Sequence, residues 1–110
     1  MDSFLCAVAD IPDPGALGFG DGGTSSLFAV RQGDSVHVYR NRCPHAHAPL
    51  NWMPNRFLTR DKRHIICSAH GAMFEIDSGA CVAGPCPGQA LDRVASEVRG
   101  GEVWLLSATR

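Results

Sequence analysis

Short apolar segments separated by turn residues run through this chain of 110 residues, and this pattern constrains its fold more than any other feature. No segment keeps the apolar period of about 3.6 residues that an amphipathic helix needs. Residues 15–23 contain five glycines and are predicted to form a surface loop. Regularly spaced short strands predict an all-β fold, a small antiparallel β-sandwich or barrel. The predicted strands are 4–8, 27–30, 36–39, 65–66, 73–76, 94–98 and 103–106.

Length and charge set further limits. A chain of 110 residues has room for one modest core, so residues 1–110 are predicted to form a single domain. The formal net charge of −1 gives no reason to expect nucleic-acid binding. No apolar run approaches the roughly 18 residues of a membrane helix, and no positively charged segment precedes an apolar stretch at the N-terminus. We therefore expect a soluble, cytoplasmic protein that binds neither nucleic acid nor membranes.

Five cysteines in a chain expected to be cytosolic favour metal or redox chemistry over a disulfide scaffold. Two cysteines are paired with histidines, in Cys43-Pro44-His45 and in Cys67-Ser68-Ala69-His70, and each pair follows a predicted strand. Two thiolates and two imidazoles suit either tetrahedral zinc or an asymmetric diiron cluster. Zinc knuckles usually take two thiolates from one loop, whereas each loop here supplies one thiolate and one imidazole. This arrangement favours the diiron cluster and leaves a structural zinc site as the alternative.

The residues around these pairs resemble a Rieske [2Fe–2S] domain, of the low-potential ferredoxin type found in dioxygenase systems. The resemblance implies one [2Fe–2S] cluster per chain, with Cys43, His45, Cys67 and His70 as its cofactor-binding and metal-ligating residues. It also implies a cluster-binding subdomain with a first ligand loop at about 43–50, a second ligand loop at about 67–74 and a proline loop at about 84–88. The segments that carry it are Cys43-Pro44-His45, Ala48-Pro49-Leu50, Cys67-x-x-His70-Gly71-x-x-Phe74, Asp77-x-Gly79, Gly84-Pro85 and Leu91.

The resemblance implies a function as well. Proteins of this type are soluble one-electron carriers that pass electrons from a flavin-containing reductase to a terminal oxygenase or a similar acceptor. With 110 residues, the chain is expected to be such an electron-transfer component rather than an enzyme, since an oxygenase catalytic domain would not fit. Two alternatives stay open, a redox-sensing regulatory module and a structural zinc-binding interaction domain.

Four positions predict a reduction potential at the low end of the Rieske range. High-potential Rieske proteins of the respiratory chain carry a serine and a tyrosine that donate hydrogen bonds to the cluster sulfurs, where this chain has Ala72 and Phe74. They also join the two ligand loops by a disulfide, at the positions of Ala48 and Ala69. Side chains without donors stabilise the reduced cluster less, so the resemblance favours a dioxygenase-type ferredoxin over a quinol-oxidising subunit.

The remaining histidines and cysteines are predicted to play no part in metal binding. The histidines are interpreted as loop or strand side chains, and Cys6 as a core residue. Cys81 and Cys86 flank Gly84-Pro85 and are expected near the cluster, as ordinary buried thiols, with a redox role as the alternative. The three histidines are His37, His47 and His64.

Basic residues concentrate between positions 40 and 63, where Asp61 is the one acidic residue. This segment surrounds the first ligand loop and leads up to the second. It is either solvated loop charge or a docking face for an acidic partner. The basic residues are Arg40, Arg42, Arg56, Arg60, Lys62 and Arg63.

Overall fold

The structure, a computed structural model, describes residues 2–19, 27–42, 50, 57–67, 71–84 and 88–106. In these parts of the chain the regular structure is antiparallel β-strand, with one 3₁₀ turn at Val8–Asp10, which confirms the predicted all-β antiparallel fold. None of the described residues form a helix with the length and apolarity needed to cross a bilayer. The strands are β1 (Ser3–Ala7), β2 (Gly15–Phe19), β3 (Leu27–Gln32), β4 (Ser35–Arg40), β5 (His64–Ile66), β6 (Met73–Glu75), β7 (Cys81–Ala83), β8 (Arg93–Val94), β9 (Ser96–Arg99) and β10 (Glu102–Leu105).

The described strands form three sheets, in the orders β1-β10-β9, β2-β3-β4-β8 and β5-β6-β7. The β2-β3-β4-β8 sheet lies in the middle, and both of its faces are covered. Ala29 and Val38 pack into a core with Val103 of the β1-β10-β9 sheet. The neighbouring residues Phe28 and Tyr39 point the other way, because strand side chains alternate, and enter a core shared with the β5-β6-β7 sheet.

Specific contacts fix the β5-β6-β7 sheet on the central sheet. The rings of Phe28 and Phe57 stack with their centroids 4.3 Å apart. The fully buried Tyr39 hydroxyl donates a hydrogen bond of 2.6 Å to the carbonyl oxygen of Ile76. At the surface, the Arg93 guanidinium donates to the carbonyl oxygen of Asp77 at 3.1 Å. The small sheet is therefore held at a defined position by apolar packing and by hydrogen bonds.

The surface loop predicted for residues 15–23 is wrong over residues 15–19, which form strand β2, while residues 20–23 lie outside the described residues. Strand β2 pairs along its whole length with β3, from Gly15 opposite Arg31 to Phe19 opposite Leu27. A Cβ on Gly15 would lie 2.6 Å from the Cβ of Pro12. Glycine at this position therefore reflects a close approach inside the fold rather than a loop.

The single strand predicted over residues 94–98 is also wrong, because the chain changes sheets there. Val94 belongs to β8, which pairs with β4, whereas Ser96–Arg99 form β9 and pair with β10. Between them, the carbonyl oxygen of Ala95 accepts a hydrogen bond of 3.0 Å from the N–H of Leu106. Strand β7 is a further element that the apolar pattern does not predict, since its residues are half-buried or exposed.

Candidate metal centre

Cys67 is the one predicted ligand that lies within the described residues. It follows β5 directly and is 1% exposed. Its N–H donates a hydrogen bond of 2.8 Å to the carbonyl oxygen of Ala72, and its own carbonyl oxygen accepts one of 2.8 Å from the N–H of Gly71. Gly71 has a φ of +74°, a conformation that favours glycine. These bonds close the turn between β5 and β6 and hold the Cys67 thiol in the interior.

Cys43, His45 and His70 lie outside the described residues, so their assignment as ligands stays a prediction. The structure does describe the chain directly before the first ligand loop, up to Arg42, and the last residue of that loop, Leu50. Asn41 follows β4, is 7% exposed, and accepts a hydrogen bond of 2.7 Å on its Oδ1 from the N–H of the fully buried Leu50. No motif in the sequence predicts a role for Asn41. A polar residue placed between an apolar strand and a predicted ligand is the signal that identifies it.

The first residue of the predicted proline loop, Gly84, lies against Ala72 of the second ligand loop. Gly84 has a φ of +97°, and a Cβ on it would lie 2.5 Å from the Cα of Ala72 and 3.1 Å from its Cβ. The backbone of Gly84 therefore lies directly against the backbone of Ala72. Residues 85–87, which include Pro85 and Cys86, lie outside the described residues.

The interior next to Cys67 is apolar. Leu50, Ile65, Ala72 and Phe74 are fully buried there. Neither Ala72 nor Phe74 has a side-chain donor, as the sequence indicates. A buried thiol in a closed loop, a glycine with no space for a side chain and an apolar surrounding are what a [2Fe–2S] cluster needs from these positions. The described residues therefore fit the cluster.

Two histidines predicted not to bind metal have other neighbours. His37, in β4, lies with its Nδ1 3.5 Å from a guanidinium nitrogen of Arg93. Burial, with the nearby Arg93 charge, holds the pKa of His37 below its ordinary value. His64, in β5, has its Nε2 3.4 Å from a carboxylate oxygen of Glu75 on β6. His47 lies outside the described residues.

The other described cysteines, Cys6 and Cys81, lie in strands of the fold. Cys6 is buried in the core of the β1-β10-β9 sheet, and burial, with a contribution from Asp10, raises the pKa of its thiol. Cys81, at the start of β7, has its sulfur 3.3 Å from the carbonyl oxygen of Ala83, to which it donates. Among the described residues, no group of three or more His, Cys, Asp or Glu side chains is arranged to hold a metal ion.

The described basic residues between positions 40 and 63 lie in two separate parts of the fold. Arg60, Lys62 and Arg63 belong to a turn that precedes β5, in which Asp61 accepts hydrogen bonds from the Thr59 hydroxyl at 2.6 Å and from the Arg63 N–H at 3.1 Å. The hydrogen bond from Thr59 is the main cause that lowers the pKa of Asp61.

This turn lies at the end of β5 opposite Cys67. At about 3.3 Å per residue, the four residues from Arg63 to Cys67 span about 13 Å. Arg40 and Arg42, by contrast, are exposed directly before the first ligand loop. Arg56 lies outside the described residues. A short distance along the sequence therefore does not place all of the basic residues beside the predicted ligands.

Comparisons with known proteins agree with this architecture. The family model of the Rieske [2Fe-2S] domain matches residues 3–99. The ferredoxin of carbazole 1,9a-dioxygenase from Nocardioides aromaticivorans IC177 is 25% identical, with a TM-score of 0.74 over 96% of each chain. The ferredoxin of Sphingomonas yanoikuyae B1 is 25% identical, with a TM-score of 0.75 over 98% of this chain and 100% of its own.

A third similar structure is a chain in the complex of reduced oxygenase and oxidised ferredoxin in carbazole 1,9a-dioxygenase. It is 26% identical, with a TM-score of 0.73 over 94% of this chain and 91% of that one. No curated protein matches the chain significantly. Because the family model matches nearly the whole chain, this protein belongs to the Rieske [2Fe-2S] domain family, whose members bind a [2Fe–2S] cluster, and it is similar to the ferredoxins of dioxygenase systems.

Proposed function

We propose that this chain is a one-electron carrier that holds its cluster through Cys43, His45, Cys67 and His70. The observation that carries the proposal is the placement of Cys67, a buried thiol in a turn closed by backbone hydrogen bonds. Similarity to ferredoxins over almost the full length of both chains supports a carrier rather than a catalytic subunit. The match to a Rieske domain favours the cluster over the zinc alternative.

The bound cluster, with two thiolate and two imidazole ligands, supplies reversible one-electron chemistry at a potential above that of four-cysteine clusters. The residues of the chain set the conditions for this chemistry. The closed turn at Cys67 fixes where a thiolate is presented. Ile65 and Phe74 exclude water beneath it, since both are fully buried. Gly84 brings the start of the predicted proline loop against Ala72, which belongs to the same core.

For partners, we infer a terminal oxygenase as electron acceptor and a flavin-containing reductase as donor. One of the similar structures is a complex between an oxygenase and a ferredoxin of carbazole 1,9a-dioxygenase, which supports an oxygenase acceptor. Electron transfer slows steeply with distance, so either partner has to dock near the ligand loops. Arg40 is exposed and lies three residues before Cys43, whereas Arg60 lies at the far end of β5.

This difference gives a test of the docking surface with an internal control. Arg40→Glu should slow electron transfer to an acidic partner, and the effect should shrink as salt screens the charges. Arg60→Glu should change the rate little, because its turn lies at the far end of β5, about 13 Å from Cys67. Stopped-flow reduction at two salt concentrations measures both variants. Equal slowing by the two variants would mean that overall charge, and not a local surface, controls association.

The cluster itself is tested by composition and by a pair of cysteine variants. Protein produced with iron and sulfide should be red-brown, contain about two irons per chain and give a rhombic electron paramagnetic resonance signal when reduced. Cys67→Ser should lose the cluster. Cys6→Ser is the matched control, because Cys6 is also buried, at 5% exposure, but lies in the other core. Colourless protein with one zinc, or a cluster that survives Cys67→Ser, would contradict the proposal.

The carrier role is separated from a regulatory role by turnover. A carrier restores electron flow from a flavin reductase to an oxygenase when added in catalytic amounts. A sensor module would be reduced once and would not support continued flow. Oxygen consumption by the reconstituted system, with and without this protein, distinguishes the two.

A further inference from the structure

Among the described residues, and apart from Tyr39 with its hydroxyl, Asn41 is the one polar or charged residue that is buried. It follows β4 and precedes Cys43 by two residues. Its Oδ1 accepts a hydrogen bond of 2.7 Å from the N–H of Leu50, and Leu50 is fully buried. Leaving the buried Leu50 N–H without an acceptor would cost more free energy than one hydrogen bond normally contributes. The folded protein therefore depends on an acceptor at this position.

The contact joins the two ends of the first ligand loop. Leu50 is anchored in the core that it shares with Phe28 and Tyr39, and Asn41 continues directly from β4. The chain between them contains Cys43 and His45. Fixing both ends of a short segment removes much of its conformational entropy before any ligand binds. The hydrogen bond therefore limits how far Asn41 and Leu50, which flank these two residues, can move apart.

The second ligand loop is closed differently. There, the N–H of Cys67 donates to the carbonyl oxygen of Ala72 at 2.8 Å, a hydrogen bond between two backbone groups. At the first loop a side chain supplies the acceptor. This closure can therefore be removed by substitution while the backbone stays intact.

We infer that Asn41 is a positioning residue of the metal centre, which fixes the ends of the first ligand loop so that Cys43 and His45 are held ready for the cluster. The inference rests on the proposed function, because it takes these two residues as ligands. Asparagine suits the position, since its amide oxygen accepts a hydrogen bond without adding a negative charge near the centre.

The test compares two variants of Asn41 with the wild-type, cluster-loaded protein. Asn41→Ala should release the cluster at least about tenfold faster under a chelator, as expected when a buried N–H loses its acceptor, and should change the reduced electron paramagnetic resonance spectrum. Asn41→Asp should restore the slow release, because a carboxylate oxygen also accepts from Leu50. Its added charge changes the potential, so release rate is the readout for rescue.

Ser78→Ala provides the matched control, because Ser78 Oγ accepts a hydrogen bond of 3.2 Å from the N–H of Ala80 in an exposed turn before β7. It should leave release rate and spectrum unchanged. Wild-type behaviour of Asn41→Ala, or a failure of Asn41→Asp to restore slow release, would overturn the inference while the proposed function stands. Wild-type protein without a cluster would overturn both.

Hydrogen exchange keeps the test decisive if Asn41→Ala does not fold. In the wild-type, cluster-loaded protein, the Leu50 amide should exchange as slowly as the amides of β5 and β6. Slow exchange together with a cluster-bearing Asn41→Asp variant supports the inference. Exchange as fast as that of the exposed Gly101 amide would show that the hydrogen bond is not maintained and would overturn it.

Discussion

Replacing Gly84 by alanine should destabilise the protein and loosen its cluster, because two separate costs meet at this residue. The first is conformational. Gly84 has a φ of +97°, which side chains of L-residues rarely adopt. The second is steric, since the new Cβ would lie 2.5 Å from the Cα of Ala72, a backbone atom that cannot rotate away. Ordinary contact would require a separation about 1 Å larger, so the segment before Pro85 has to move off the second ligand loop.

The two costs can be estimated separately. The positive φ costs about 1–2 kcal/mol for alanine. Overpacking against a closed turn adds about 1–3 kcal/mol. Gly101 isolates the first cost, because its φ is +81° and a Cβ there would meet nothing within 4 Å. Gly84→Ala should therefore be less stable than Gly101→Ala by about 1–3 kcal/mol, or by at least about 4 °C in Tm for a domain of this size.

Thermal unfolding followed by circular dichroism measures the difference, and visible absorbance in the presence of a chelator measures cluster loss. Cluster loss should be faster in Gly84→Ala and unchanged in Gly101→Ala. Equal destabilisation by the two variants would show that the contact with Ala72 contributes nothing. Equal cluster retention would show that the segment before Pro85 does not support the second ligand loop.

Three further outcomes are expected. Phe74→Tyr should raise the reduction potential from the lower part of the Rieske window of about −150 to +300 mV, as measured by redox titration. If the phenol contacts a cluster sulfur and the potential does not rise, a missing hydrogen bond is not the cause of the low potential. Tyr39→Phe should lower the free energy of unfolding by about 1–2 kcal/mol in denaturant titrations, because the buried carbonyl of Ile76 loses its hydrogen-bond donor. An unchanged free energy would mean that this carbonyl finds another donor. Burial and the charge of Arg93 lower the pKa of His37 in the folded state below 6.5, so the stability that His37 contributes is complete above about pH 6.5 and is lost as the pH falls. His37→Gln should remove this part of the pH dependence of the free energy of unfolding, and an unchanged pH dependence would assign it to another group.

The sequence predicts the β5-β6 hairpin and the position of Cys67 well, because their signals are local. Ile65 and Ile66 favour a strand, and a cysteine directly after a strand is turned inward by the loop that follows. Gly71 lies in the predicted second ligand loop, and its φ of +74° has the sign that favours glycine. Local residues and local structure agree here, so the pattern of the sequence is sufficient.

Features that depend on distant contacts are predicted poorly. Glycines in 15–19 indicate a loop, yet pairing with β3 buries Gly15 and Ala16 in a strand. The acceptor for the Leu50 amide comes from Asn41, nine residues earlier, and nothing near Leu50 indicates it. Arg60 lies close to Cys67 in sequence, but an extended strand converts that short separation into distance. In each case, three-dimensional pairing decides and the local pattern does not.

The contacts around the candidate centre explain why folding and cluster binding should be linked in one half of the molecule and not in the other. The first ligand loop is anchored by Leu50, the second by Cys67 and Ala72, and the proline loop by Gly84. All of these anchors meet in or against the core beneath the β5-β6-β7 sheet. Each strand of that sheet has three residues, too few to be stable without this packing. The β1-β10-β9 sheet has a separate core around Val103. The free energy of metal binding therefore supports the small sheet first, and loss of the cluster should loosen that sheet while the separate core persists.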